Sequence, residues 1–118
     1  MATKTAIKAS EKEEARATLR ELIGETPDPV IHTVLRHVSS SGMSRDISLL
    51  FVECGKLRNV TWLAARALGE KPKERNGHWV IRVNGCGMDM GFHVVSSLSY
   101  ALFRDRERPD YVIRHEWA

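Results

Sequence analysis

Apolar side chains recur every three or four positions in three stretches of this chain, which predicts three helices. The first covers residues 11–23 and follows Ser10 and Glu13, which have the spacing of an N-terminal capping box. The second covers residues 61–68 and ends before a glycine, and the third covers residues 92–103. Each predicted helix therefore has one face suited to packing against a core.

Alternating apolar and polar positions, rich in β-branched residues, predict strands elsewhere. Strands are expected at residues 30–38, 46–54, 78–83 and 111–117, and residues 57–60 are suited to one further short strand. Asn76-Gly77 predicts a two-residue turn before the strand at residues 78–83, whereas the pattern leaves the partner of the last strand open. Trp62 and Trp79 lie on apolar stripes and are expected in the core. The chain is thus predicted to be an α+β domain, with a mainly antiparallel sheet and about three helices on one face.

A length of 118 residues is enough for one domain with its own core, expected over residues 10–118 after a flexible tail over residues 1–9. Hydrophobic residues make up 42% and charged residues 28%, which is typical of a folded globular protein. No stretch reaches the roughly 18 apolar residues that cross a bilayer, and residues 1–8 lack the apolar part of a secretory signal. Two cysteines, Cys54 and Cys86, are too few for a disulfide framework. The expected location is the cytoplasm, without a membrane partner.

Positive charge is concentrated in residues 54–83, called here the basic segment. It holds two acidic side chains against seven basic ones: Lys56, Arg58, Arg66, Lys71, Lys73, Arg75 and Arg82. Such a concentration suits contact with phosphate groups or with an acidic protein surface, and it also occurs on ordinary solvated surfaces. The basic segment is therefore a candidate for nucleic-acid contact.

The segment Gly85-Cys86-Gly87-Met88-Asp89-Met90-Gly91, called here the glycine loop, connects a strand to the third helix. Its glycines permit tight turns, and a helix N-terminus after such a turn presents free N–H groups to an anion. The spacing differs from the dinucleotide and Walker A fingerprints, and Asp89 is expected to cap the helix. The alternative is a tight structural connection. Ligand contacts are predicted at Gly85, Gly87, Asp89 and Gly91.

The segment Ser39-Ser40-Ser41-Gly42-Met43-Ser44-Arg45, called here the serine loop, joins the first two predicted strands. Its hydroxyl and guanidinium groups are suitable donors to phosphate oxygens. The same serines are also suited to satisfying backbone groups within a hairpin turn. Ligand contacts are predicted at Ser41, Ser44 and Arg45, on the condition that both loops lie at the same end of the sheet.

Nucleophilic catalysis is an alternative use of the two loops. Cys86 near a helix N-terminus would be stabilised as a thiolate, with His93 or His37 as base. Ser41 with His37 offers a second pair of the same kind. Neither the GxSxG elbow nor a cysteine-hydrolase signature is present, so a non-enzymatic role is favoured. No metal centre or cofactor is predicted, because CxxC, HxxxH and HExxH spacings are missing from the sequence.

Two motifs carry a resemblance to a known group of proteins. The segments RHVSSSGMSR, at residues 36–45, and GCGMDMGFH, at residues 85–93, resemble paired motifs of small uncharacterised proteins encoded by tailed bacteriophages and prophages. The resemblance covers roughly residues 30–103. It implies a cytoplasmic accessory protein of an infected bacterium that interacts with a host macromolecule or a nucleotide signal, and it implies no catalytic residue.

Three functional hypotheses follow from these features. The favoured one is a non-enzymatic phage accessory protein that binds nucleic acid or a nucleotide through the two loops, with positive field from the basic segment. The second is a protein-binding inhibitor of a host process that uses an apolar patch of Met43, Met88, Met90 and Phe92. The third is a small hydrolase or transferase built on Cys86 or Ser41.

Overall fold

The computed structural model describes residues 8–26, 29–53, 55–85, 90–104 and 112–117. The elements in chain order are α1 (Ala9–Gly24), β1 (Val30–Val38), β2 (Ser44–Glu53), β3 (Lys56–Asn59), α2 (Thr61–Ala67), β4 (Lys73–Arg75), β5 (His78–Asn84), α3 (Met90–Phe103) and β6 (Val112–Trp117). The strands lie in the order β4-β5-β2-β1-β6, and β3 also pairs with β2. These pairings are antiparallel except that of β1 with β6, which is parallel. The predicted α+β class with a mainly antiparallel sheet is confirmed.

The described helices pack on one face of the sheet, because alternate strand residues point to that face. On β2 these residues are Ile47, Leu49 and Phe51, which are all buried. They belong to the same apolar cluster as Leu19 of α1 and Leu102 of α3. Burial of each large side chain of this kind stabilises the fold by about 1.5–3 kcal/mol. The core therefore lies between the helix layer and one face of the sheet.

Helix α1 starts earlier than the sequence suggested. It begins at Ala9, and Lys8 occupies the N-cap position without a side-chain hydrogen bond. The capping box predicted at Ser10 and Glu13 is therefore wrong, since Ser10 already lies within the helix. Residues 1–7 of the predicted tail lie outside the described residues. None of the described helices is long and apolar enough to cross a membrane.

The turn at Asn76-Gly77 joins two short strands, only one of which was expected. Both residues have positive φ values, of 49° and 79°, as a tight two-residue hairpin turn requires. Strand β4 was not predicted because its three residues, Lys73–Arg75, are all charged and carry no alternation. Pairing with β5 through this turn makes them a strand.

The two tryptophans expected in the core lie at the surface instead. Trp62 is 39% exposed and Trp79 is 38% exposed. Arg66 lies over the Trp62 ring at 4.4 Å from its centroid, so a guanidinium covers this indole instead of apolar side chains. The apolar spacing correctly predicted α2 and β5. The indole rings of Trp62 and Trp79 are nevertheless only partly covered, because α2 is short and Trp79 lies near the start of β5.

Thr61 closes a gap along one side of β2. Strand β5 pairs with β2 as far as Ile47, and β3 pairs with it from Leu50 onward. Between them, the Leu49 N–H donates to Thr61 Oγ1 at 2.8 Å, and the same hydroxyl donates to the Leu49 carbonyl at 3.1 Å. The Val60 N–H donates to that carbonyl as well, at 3.0 Å. The first residue of α2 thus acts as a substitute for a strand partner.

Candidate functional site

The serine loop and the glycine loop meet at one end of the sheet. Ser44 at the start of β2 pairs with Asn84 at the end of β5, so Met43 and Gly85 beyond them are adjacent. The Gly85 N–H donates to the Met43 carbonyl at 2.8 Å. Arg45 Nη1 donates to the Gly85 carbonyl at 2.8 Å. Ser41, Ser44, Arg45, Asn84 and Gly85 are called here the loop junction.

The serine loop is a hairpin turn held by its own hydroxyl groups. Ser39 exchanges two hydrogen bonds with Ser44, because its N–H donates to the Ser44 carbonyl and its Oγ accepts from the Ser44 N–H. The Ser41 Oγ lies 3.2 Å from the Ser39 Oγ and 3.4 Å from the Met43 nitrogen. The serines thus stabilise the turn, while Ser40 and Ser41 remain exposed to solvent.

Only part of the glycine loop is described. Gly85 has a φ of +141°, and a Cβ there would lie 3.1 Å from Met90 Cε, so both backbone conformation and packing favour glycine. Gly91 is buried in the first turn of α3. Cys86, Gly87, Met88 and Asp89 lie outside the described residues, and so do the predictions that rest on them.

A groove runs along the side of β5 and ends beside the loop junction. It has a volume of about 300 Å³. Its lining is formed by Glu70, Lys71, Lys73, Val80, Ile81, Arg82 and Asn84, and it is called here the edge groove. Three of these residues are cationic, and Asn84 belongs to both the groove and the loop junction. Positive charge and amide donors therefore line one continuous strip.

Glu70 is the acidic residue of the edge groove. Partial burial raises the pKa of its carboxyl group, and the nearby charge of Lys73 opposes this shift. The Glu70 carboxyl group therefore keeps its proton to a higher pH than an ordinary glutamate does. An anion bound in the edge groove would be attracted by Lys71 and Lys73 and repelled by the Glu70 carboxylate.

Asp46 holds two of the predicted basic residues by ion pairs. It is only 2% exposed, and its two carboxylate oxygens accept from Arg82 Nε at 3.0 Å and Arg82 Nη2 at 3.2 Å. Arg75 Nε lies 3.7 Å from the same carboxylate. This bidentate pairing raises the pKa of the Arg82 guanidinium. Two arginines thus share one carboxylate, which leaves an excess of positive charge.

The structure divides the basic segment between the two sides of the sheet. Lys73, Arg75 and Arg82 lie on the side away from the helices by strand alternation, since they are register neighbours of Val80, His78 and Asp46. Lys56 and Arg58 alternate toward the helix side, where Arg58 pairs with Glu53 at 3.2 Å. Arg66 on α2 pairs with Glu11 of α1. The segment is therefore not a single patch.

The residues of the catalytic alternative are spread over different elements. His37 is half-buried on β1 opposite Asp46, whereas His93 is exposed on α3 with its ring 6.3 Å from that of Phe92. Ser41 is hydrogen-bonded within its own loop. Cys54 and Cys86 lie outside the described residues. Within the part of the chain that is described, no group of three potential metal ligands is present.

The apolar patch of the second hypothesis is partly described. Met43 is 57% exposed and Phe92 is 50% exposed, whereas Met90 is half-buried against Gly85. Met88 lies outside the described residues. Two large apolar side chains therefore flank the loop junction at the surface.

Sequence reasoning missed two residues of this region. Asn84 lies opposite Ser44, and Asp46 lies opposite Arg82. Neither has a motif of its own, and both follow only from the antiparallel register of β2 with β5. The local signals in the sequence were an Asn before a glycine and an Asp beside a run of apolar residues.

Comparison of the chain with protein-family models, with curated proteins and with solved structures found no match.

Proposed function

We propose that this protein is a non-enzymatic binding protein for a phosphate-bearing partner, either nucleic acid or a nucleotide. The phosphate would be held at the loop junction, with Lys71, Lys73 and Arg82 of the edge groove supplying positive field. The observation that carries the proposal is the hydrogen bond from Arg45 to Gly85, which joins the two loops.

The chemistry of the loop junction suits a phosphate oxygen. A guanidinium has five N–H donors, and the bond to Gly85 uses one of them. The Ser44 hydroxyl and the Asn84 amide stand at paired positions of the two strands, on the same side of the sheet. Arg45 alternates to the other side of β2, and its guanidinium reaches the Gly85 carbonyl at the end of the strand pair. Arginine with neighbouring hydroxyl and amide donors is a common arrangement for binding phosphate groups.

The test is direct binding to two probes at low salt. The first is a fluorescein-labelled single strand of about 12 nucleotides, followed by fluorescence anisotropy, and the second is ATP, followed by calorimetry. Replacing Arg45 with Ala is expected to weaken binding about tenfold, the cost of losing a charge-assisted hydrogen bond. Added salt is expected to weaken binding further. No binding of either probe at low salt would overturn the proposal.

Arg45 also supports the loops, so two further variants separate binding from folding. Ser44→Ala removes a hydroxyl and keeps the backbone bonds to Ser39, so weaker binding by this variant reports on the ligand. Arg104→Ala removes an exposed charge at the far end of α3, about 20 Å along the helix from the loops. Arg104→Ala is expected to bind like the wild type. Equal losses in Arg45→Ala and Arg104→Ala would contradict a specific site.

A cytoplasmic role in a phage-infected bacterium belongs to the same proposal, on the basis of the two motifs alone. A second candidate function, binding to a host protein, is favoured by the exposure of Met43 and Phe92 beside the loop junction. Recovery of one host protein by the wild type, resistant to nuclease and lost with Met43→Ser, is the result expected for it.

A further inference from the structure

The side of the sheet opposite the described helices carries a row of cationic side chains. Strand register places the cations of β4, β5 and β6 there, because their partners are out of phase with the core residues Ile47 and Leu49. Arg36 lies at the register shift of β1, and its hydrogen bond to Ser48 places it on the same side. The cations are Arg36 of β1, Lys73 and Arg75 of β4, Arg82 of β5 and Arg114 of β6. This surface is called here the helix-free face.

Among the side chains that the structure describes, positive charge dominates the helix-free face. Among its described side chains, Asp46 is the one carboxylate, and Arg82 and Arg75 already surround it. Glu70 lies near Lys73 at the border of the face. Arg36 and Arg114, on the side away from the edge groove, extend the positive charge across β1 to β6. The charge therefore forms a band across the sheet instead of a single point.

The guanidinium groups are held over a small buried centre. Arg36 Nε donates to the Ser48 Oγ at 3.2 Å, and Ser48 Oγ in turn donates to the Trp79 carbonyl at 2.6 Å. Val34 and Val80, on either side of Ser48, are buried although they lie outside the main core cluster. Long arginine side chains commonly cover such apolar positions while their charged ends stay in water. The result is a broad, positively charged sheet surface.

We propose that the helix-free face binds single-stranded nucleic acid, which runs from the edge groove across the sheet to β6. This inference rests on the proposed function, since it extends the positive field of the edge groove and chooses nucleic acid over a mononucleotide. Five neighbouring strands span about 19 Å, which is long enough to contact several nucleotides of one strand. Arginine planes and the imidazoles of His32 and His37 on this face can stack on unpaired bases.

The shape of the face favours a single strand over a duplex. A helix or a two-stranded ribbon that projects from a protein is what enters the major groove of double-stranded DNA. The helix-free face is formed by the sheet itself, and an open sheet presents its side chains to splayed bases. A mononucleotide would use only one end of the positive band.

The test removes two charges from each side of the sheet. Arg36→Gln with Arg114→Gln changes the helix-free face, and Lys56→Gln with Arg58→Gln is the matched control on the helix side. Each pair includes one exposed residue and one with a side-chain hydrogen bond. Binding to single strands of about 12 and about 3 nucleotides is measured by anisotropy over a salt series. Thermal unfolding confirms that both double variants fold.

The face variant is expected to bind the longer strand at least about tenfold more weakly, while the control stays within about twofold of the wild type. Its plot of log affinity against log salt is expected to become shallower by about 1.4, since each lost phosphate contact removes about 0.7. The wild type is expected to prefer the longer strand. Equal weakening by both double variants would overturn the inference, as would poly-glutamate binding as tight as that of the oligonucleotide.

The outcomes also separate this inference from the proposed function. If Arg45→Ala weakens binding and the face variant does not, the loop junction stands and the helix-free face fails. If the face variant weakens binding and Arg45→Ala does not, the helix-free face binds nucleic acid and the loop junction fails. Stronger binding to duplex than to single strands would overturn the choice of partner.

Discussion

Arg45 donates a hydrogen bond to the carbonyl of Gly85, a residue 40 positions further along the chain. The bond is placed at the end of the β2–β5 pair, where the Gly85 N–H also reaches the Met43 carbonyl. The Arg45 side chain thus links the end of β5 to the start of β2. The link is structural, and it also places a guanidinium where the serine loop ends and the glycine loop begins.

Loss of this link is expected to weaken the fold. Arg45→Ala should lower the free energy of unfolding by about 1–2 kcal/mol, because a partly buried, charge-assisted hydrogen bond disappears. Urea unfolding followed by circular dichroism measures the change. Arg104→Ala is the control, with a change within about 0.5 kcal/mol. An equal effect of the two substitutions would show that the bond to Gly85 contributes nothing.

Thr61 provides a sharper test of backbone satisfaction. Thr61→Val keeps the shape of the side chain but leaves the buried Leu49 N–H without its acceptor, so the free energy of unfolding should fall by about 2–3 kcal/mol. Thr61→Ser keeps the hydroxyl and loses only a methyl group, with a cost of about 1 kcal/mol. Chemical unfolding of both variants gives the comparison. A valine variant as stable as the serine variant would contradict the role of the hydroxyl.

The buried carboxylate on the helix-free face should matter for stability more than its surface counterparts. Asp46→Ala is expected to lower the free energy of unfolding by about 2 kcal/mol, because two arginines lose their shared partner. Glu53→Ala removes the exposed partner of Arg58 and should cost less than about 1 kcal/mol. Thermal and urea unfolding at pH 7 give both values. The proposal of a shared ion pair fails if the two costs are equal.

Glu70 should make stability decrease as pH rises. Because partial burial raises its pKa above 4.5 in the folded protein, the folded state keeps the proton longer than the unfolded state does. The protein therefore loses stability as the pH rises through the folded-state pKa of Glu70. At lower pH, where the carboxyl group is protonated in both states, this cost disappears. Glu70→Gln should raise the melting temperature at pH 7 and leave it nearly unchanged at pH 4.

A second substitution checks the cause of that effect. Lys73→Gln removes the positive charge that favours the Glu70 carboxylate, so the benefit of Glu70→Gln at pH 7 should be larger in this background. Melting temperatures of the four proteins in the cycle give the coupling between the two residues. A benefit of Glu70→Gln that is the same at both pH values would exclude burial of the carboxylate as its origin.

Strong local patterns made most elements predictable from the sequence. The four-residue spacing of Ala15, Leu19 and Ile23 identifies α1, and the pair Asn76-Gly77 identifies the β4–β5 turn. These signals involve residues close together in the chain, so they survive without knowledge of the rest of the fold. The start of α1 was wrong because the capping pattern at Ser10 is only one of several ways to begin a helix.

The candidate site was predictable only in part. Both loops stood out by composition, and the structure brings Arg45 against Gly85. Asn84 did not stand out, because its place opposite Ser44 depends on the register of two strands that are far apart in the chain. The basic segment is continuous in the sequence. Strand alternation nevertheless places Arg58 and Arg82 on opposite sides of the sheet.

Composition and periodicity alone therefore determined the class of fold, the order of its helices and of its strands other than β4, and the two loops of unusual composition. Tertiary structure alone decided that β6 lies parallel to β1, that Asp46 joins Arg82, and that charge collects on the face without helices. The reason is physical, since local preferences act between neighbours in the chain. Strand order and register result from packing many distant side chains together, which no short pattern encodes.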